Sequence, residues 1–192
     1  MIKKIIEIDI EKMLNGAAKE DAESQFYLGT YFDSKGNKQL SYEWFCKAAD
    51  QGYALAICAK AACIYHGYGV KQDKSKAFVI FESVANSCPE SKYYLSFKYD
   101  NTEPDKSMKL LEEAANDGEV DAMVKLAHIY QRNVLLLGQR HDSQNALKWY
   151  KKVYNLGFDE IALEISELYK LLGDHKQHYR WLQIFQKKKR QS

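Results

Sequence analysis

Near the carboxyl end, Asp174, His175 and His178 place a carboxylate and two imidazoles at helical spacing. Residues three apart share a helix face, so this trio has the types and spacing of a metal site that could serve metal-dependent hydrolysis. Such a cluster is more often a solvated helix start, which is the expectation adopted. Cys58 and Cys63 offer two thiols, but a separation of five turns them to different faces of a helix, which does not suit a shared zinc ion. Gly67-Tyr68-Gly69 lacks the third glycine and the preceding strand that a dinucleotide site needs. No Gly-x-Ser-x-Gly turn, His-Glu-x-x-His pair or P-loop occurs. The residues thus nominate no catalytic group, no metal set and no cofactor, and the chain is expected not to be an enzyme.

What such residues would need is a frame, and composition bounds it. The chain has 192 residues, long enough to bury a core without disulfide or metal staples. With 46% hydrophobic and 28% charged residues it has the balance of a folded protein rather than a disordered one. A net charge of +2 is too small a basic excess to favour nucleic acid as partner. Only 2 Pro and 10 Gly occur, too few for an all-β domain with frequent turns. No apolar run of about 18 residues exists, so no membrane span is expected. Lys3 and Lys4 are followed by Glu7, Asp9 and Glu11, which argues against a secretory leader. Cys46, Cys58, Cys63 and Cys88 are therefore expected to be free, half-buried thiols in a cytoplasmic protein.

The dominant signal is repetition. Segments 44–52, 80–88, 110–118 and 149–157 each carry two large residues, two variable ones, a small or β-branched pair and a turn, and a weaker copy begins at Trp181-Leu182. Upstream of each copy stands a second pattern. Leu28, Lys60, Leu95, Leu126 and Ile165 are followed at once by Gly29, Ala61, Ser96, Ala127 and Ser166. Three residues later come Phe32, Ile64, Tyr99, Tyr130 and Tyr169. This spacing gathers each set on one helical face, and the small column lets two helices approach closely. Lys60 breaks the large apolar column.

Helix ends agree. Asn37, Asp73, Asp142 and Asp174 stand where N-caps are needed, and the third repeat offers Thr102 or Glu103 before Pro104. Gly52, Gly118 and Gly157 follow second helices, where a left-handed residue favours glycine. Met13-Leu14 and Ala17-Ala18 mimic a second helix, so residues 1–20 read as a capping half-repeat with its helix over roughly 4–18. Five repeats follow at 21–52, 53–88, 89–118, 119–157 and 158–187, then a basic tail at 188–192. The expected fold is all-α: a right-handed α-α superhelix, or solenoid, of about five helix pairs behind an N-terminal cap helix, eleven helices in one continuous stack.

Gly67, Gly69, Val70, Asp73, Lys76 and Ala77 match a G-x-G-V-x2-D-x2-K-A loop. Trp44-Phe45 to Gly52 and Trp149-Tyr150 to Gly157 match a W-Y-x2-A-A-x2-G second helix, and residues 22–32 match the first. In these columns the chain resembles the Sel-one-like repeat (SLR) family, a relative of the tetratricopeptide repeat, over about 22–187. A plain tetratricopeptide array is the close alternative, but its repeat length is normally constant whereas the spacing here varies. Repeats 1 and 3 depart in their shortened loops, and the fifth lacks the small pair.

The resemblance implies an interaction scaffold that holds a protein partner, an extended segment or a helix, in the concave groove. Variants with the same binding mode are a bacterial effector and an immunity protein that neutralises a toxin. Groove positions carried over from tetratricopeptide arrays include Phe26, Tyr65, His66, Tyr93, Phe97, His128 and Arg132. Aromatic residues and Arg are enriched at binding hot spots. The other reading of the rings is packing between adjacent repeats. A carboxylate clamp is not expected, because the fifth positions are Phe26, Cys58, Tyr93, Val124 and Leu163 rather than Lys and Asn. No nucleic acid and no membrane are expected as partners, and the chain is expected to be a monomer, with a dimer as the alternative. The basic tail reads as favourable charge at a helix C-terminus.

Overall fold

The structure, a computed structural model, describes residues 10–138 and 141–190. Among the described residues there are eleven α-helices and no strand, in agreement with the expected all-α helical repeat. The helices are α1 Ile10–Ala18, α2 Ala22–Ser34, α3 Lys38–Asp50, α4 Ala54–His66, α5 Lys74–Val84, α6 Pro89–Tyr99, α7 Pro104–Asn116, α8 Val120–Leu137, α9 Asp142–Asn155, α10 Ala162–Leu171 and α11 His175–Lys189. Helices adjacent in sequence pack as antiparallel pairs, most extensively α2 on α3, α4 on α5, α8 on α9 and α10 on α11. The chain divides into two compact units, one through Leu110 and one from Leu111.

In the first unit the expected capping helix, over roughly 4–18, lies partly outside the described residues. From Ile10 onward α1 buries Met13 and Ala17 against Leu28 of α2. Beyond it, Cys58, Ala61 and Ile64 of α4, Ala77, Phe81 and Val84 of α5, and Cys88 and Leu95 at α6 form one core. In the second unit, Ala122, Met123, Leu126 and Ala127 of α8 are buried, as are Ala146, Trp149, Tyr150 and Val153 of α9.

The repeated columns acquire a physical meaning here. Of each large pair, the second member is buried throughout: Phe45, Phe81, Leu111 and Tyr150. The residue three further on is buried too: Ala48, Val84, Ala114 and Val153. The small column is wholly enclosed, with Ala61, Ser96, Ala127 and Ser166 at 0% exposure. At Gly29 the reason is explicit, since a Cβ there would lie 2.5 Å from the Phe45 ring. Lys60, the break in the large column, is half-buried and reaches Asp50 at 3.2 Å, so its stem fills the site while its ammonium escapes.

Three of the four expected acidic or amide caps accept a backbone N–H: Asn37 from Leu40, Asp73 from Lys76 and Asp174 from Gln177. Each such cap contributes about 1 kcal/mol. Asp142 does not act as a cap. It is the first residue of α9, and its buried carboxylate accepts from Asn133 Nδ2 at 2.9 Å, tying α9 to α8. In the third repeat Pro104 opens α7, and the Glu103 carbonyl accepts from Ser107 at 3.0 Å. Gly52, Gly118 and Gly157 all take positive φ. Gly69 has φ +69°, and any Cβ there would fall 2.1 Å from the Lys38 carbonyl oxygen, so only glycine lets the loop after α4 lie on the start of α3.

Candidate functional site

Four of the seven nominated residues come together. Tyr65 and His66 end α4, while Tyr93 and Phe97 lie on α6. Around Tyr65 the ring centroids stand 5.0 Å from His66, 5.1 Å from Tyr94, 5.7 Å from Phe78 and 6.3 Å from Phe97. Tyr93 meets Phe97 edge-on at 5.0 Å. Tyr65, Tyr93 and Phe97 are half-buried and His66 is exposed, so the cluster is anchored below and open above.

Its anchor is a residue the sequence reading did not nominate. Tyr94 stacks on fully buried Phe81 at 4.5 Å and 7°, and its hydroxyl lies 3.0 Å from His66 Nε2. The signal was the 93-94-97 run, because residues three apart share a face and Tyr94 thus belongs with Phe97. His66 also stacks on Tyr68 at 5.0 Å. Lys74 Nζ sits 5.0 Å over Tyr65, and Lys38 Nζ 5.0 Å over Tyr68, so two ammonium groups border the rings. Burial, and then the charge of Lys74, hold the His66 imidazole below its ordinary pKa and keep it neutral near pH 7.

The other three nominated residues lie elsewhere. Phe26 of α2 is half-buried between Phe45 at 5.7 Å and Tyr53 at 5.5 Å, so its ring packs α2 against its neighbours. His128 and Arg132 are exposed one turn apart on α8, in the second unit. His128 stands edge-on to Tyr150 at 5.7 Å.

The histidine trio does not converge. Asp174 caps α11, His175 is exposed, and His178 turns inward onto Ser166 of α10. Residues three apart share a face only approximately, and here the edge of that face divides solvent from core. The cysteines are more deeply placed than expected, with Cys58, Cys63 and Cys88 buried and only Cys46 half-buried. Cys63 feels Asp33 and Cys46 of the preceding pair, whereas Cys58 faces Cys88 and Ser91 of the following one. Of the basic end of α11, Lys188 reaches Asp159 at 3.0 Å.

The sequence profile of the Sel1 repeat matches residues 22–53, 53–86, 101–119 and 120–158, well over half of the chain. The chain belongs to the Sel1 repeat family. The matches include α4 and α5, whereas α6, which carries Tyr93, Tyr94 and Phe97, lies between the second and third of them. A Sel1 repeat protein from Oxalobacter formigenes superposes with a TM-score of 0.71 at 23% identity, over 93% of this chain and 76% of that one. The protective antigen c5321 of uropathogenic Escherichia coli, which displays an SLR fold, gives a TM-score of 0.68 at 25% identity, over 93% of this chain and 41% of that one. Among curated proteins, the DAP3-binding cell death enhancer 1 of Rattus norvegicus is 25% identical over 132 residues, 65% of this chain. The chain spans only about a quarter of that relative's length. No described helix is long and apolar enough to cross a membrane.

Proposed function

We propose that this Sel1 repeat chain is a non-catalytic scaffold that holds a protein partner, as an extended segment or a helix, across the aromatic surface of α4 and α6. The observation that carries the reading is the half-buried set Tyr65, Tyr93 and Phe97 with exposed His66, anchored by Tyr94 on Phe81. Rings fixed from below lose little entropy on binding and offer large contact area, the character of a hot spot. Lys74 at the border favours a partner carrying an acidic side chain beside apolar ones, whereas Lys38 is already paired with Asp33 at 2.6 Å. On the second unit, exposed His128 and Arg132 of α8 offer a separate contact of their own. Phe26 serves chiefly to pack α2. The rat relative is named for binding a protein, which agrees with this mode without naming a partner here. Free cysteines suit a reducing, cytoplasmic setting.

The test is affinity capture from the native cell extract, read by mass spectrometry, with the wild type and a Tyr93→Ala/Phe97→Ala variant. A partner retained by the wild type and lost by the variant, with helicity and Tm nearly unchanged, is the expected result. A large fall in Tm with no partner enriched on the wild type would make the rings core and end this reading.

A further inference from the structure

Apart from the aromatic surface, three donor atoms converge where one helix pair meets the next. Cys58 Sγ from α4, Cys88 Sγ at the N-cap of α6 and a carboxylate oxygen of Glu90 in its first turn all lie within 4.8 Å of one another. Cys58 is 0% exposed, Cys88 2%, and Glu90 is half-buried. Ser91 Oγ donates to Cys58 Sγ at 3.3 Å, holding that sulfur in place from the partner helix. Thirty residues separate the two cysteines, so no sequence spacing announces the group. We propose that Cys58, Cys88 and Glu90 form a binding site for Zn²⁺, with the fourth coordination position left to water.

The donor set selects the ion. Two sulfurs exclude Mg²⁺ and Ca²⁺, which demand oxygen cages, and a carboxylate as third ligand favours borderline Zn²⁺ over soft Cu(I). The distances allow it. Three atoms up to 4.8 Å apart surround a point about 2.8 Å from each, and Zn–S and Zn–O bonds of roughly 2.3 and 2.0–2.2 Å need each donor to move inward by about half an ångström or a little more. Contact with Cys58, and then the amides of Ser91 and Glu90 at the start of α6, bring the Cys88 thiol down against the effect of its burial. That same contact, with burial, pushes the Cys58 thiol up. Zn²⁺ takes both sulfurs as thiolates, so its binding releases protons and strengthens as pH rises. The ion would clamp α4 to α6 and stabilise the native state by mass action. This inference is independent of the partner-binding reading.

The experiment uses the full-length reduced protein, stripped with a chelator. Zn²⁺ is titrated against a chromophoric competitor, Co²⁺ is substituted as a spectroscopic probe, and Tm is followed with and without Zn²⁺. The expected result is one equivalent of Zn²⁺, a thiolate-to-cobalt charge-transfer band, and a higher Tm with Zn²⁺. Glu90→Gln should weaken Zn²⁺ by at least about tenfold while keeping the band. Cys88→Ser should remove most of the band with helicity retained; should that variant fail to fold, Glu90→Gln, at a half-buried position, still decides. Absence of the band in the wild type overturns the proposal. So does Zn²⁺ affinity unchanged by Glu90→Gln and Cys88→Ser, which would place the ion on surface histidines. So too does a Cys58–Cys88 disulfide that forms with mild peroxide while the reduced protein takes up no metal.

Discussion

The Ser166 hydroxyl donates to the His178 carbonyl oxygen at 3.0 Å, and its oxygen lies 2.9 Å from His178 Nδ1. Nδ1 is also 3.1 Å from the Ser166 carbonyl oxygen. With the hydroxyl proton given to the carbonyl, Nδ1 must carry the imidazole proton and donate it back to Ser166. Both side chains are buried, so this reciprocal contact fastens α10 to α11 in the repeat that lacks the usual small pair. Ser166→Ala removes two of the three contacts but leaves Nδ1–H its backbone acceptor. It should cost about 1 kcal/mol. Urea unfolding measures this, and an unchanged midpoint at unchanged m would show that the contact contributes nothing.

Gly29 and Phe45 make the corresponding contact in the first repeat without any polar group. A Cβ at position 29 would meet Cδ1 and Cε1 of a ring that is itself 6% exposed and cannot swing away freely. Gly29→Ala should therefore destabilise the chain by about 1–3 kcal/mol, although alanine is the better helix former. Phe45→Leu added to Gly29→Ala should recover part of the loss. Thermal unfolding of the single and double variants reads the coupling directly, and a Gly29→Ala protein more stable than the wild type would show the helices free to separate.

His66 predicts a pH dependence whose sign follows from its neighbours. Burial first and the Lys74 ammonium second lower its folded pKa below the unfolded value of about 6.5. The unfolded chain therefore takes up the proton first as pH falls. The contribution of His66 is complete above the unfolded pKa and is lost as pH drops through it towards the folded value. Between about pH 7.5 and about pH 5.5 the wild type should lose more stability than His66→Gln. Parallel curves for the two proteins would mean that His66 titrates alike in both states.

Much of the fold was legible in the chain because its causes are local. Large residues at i and small ones at i+1 recur where helices meet, and Asn37, Asp73 and Asp174 cap helices through hydrogen bonds to residues three positions away. Asp142 misled because the same residue type at the same offset served a partner on another helix, Asn133. Nothing in the residue type distinguishes those two uses. Tyr94 was overlooked beside Tyr93 because a repeat register names positions, whereas burial against Phe81 depends on which way α6 is turned.

The sequence by itself determined the family, the all-α repeat, the paired helices and most of their ends, since helical periodicity, capping and small contact residues act within a few turns of chain. Only the tertiary structure decided that Tyr65, His66, Tyr93 and Phe97 share one surface, that His178 faces Ser166 rather than a metal, and that Cys58, Cys88 and Glu90 converge. Each of those outcomes depends on the rotation of one helix against another. That rotation is set by the summed packing of whole faces, so no spacing between two residues encodes it.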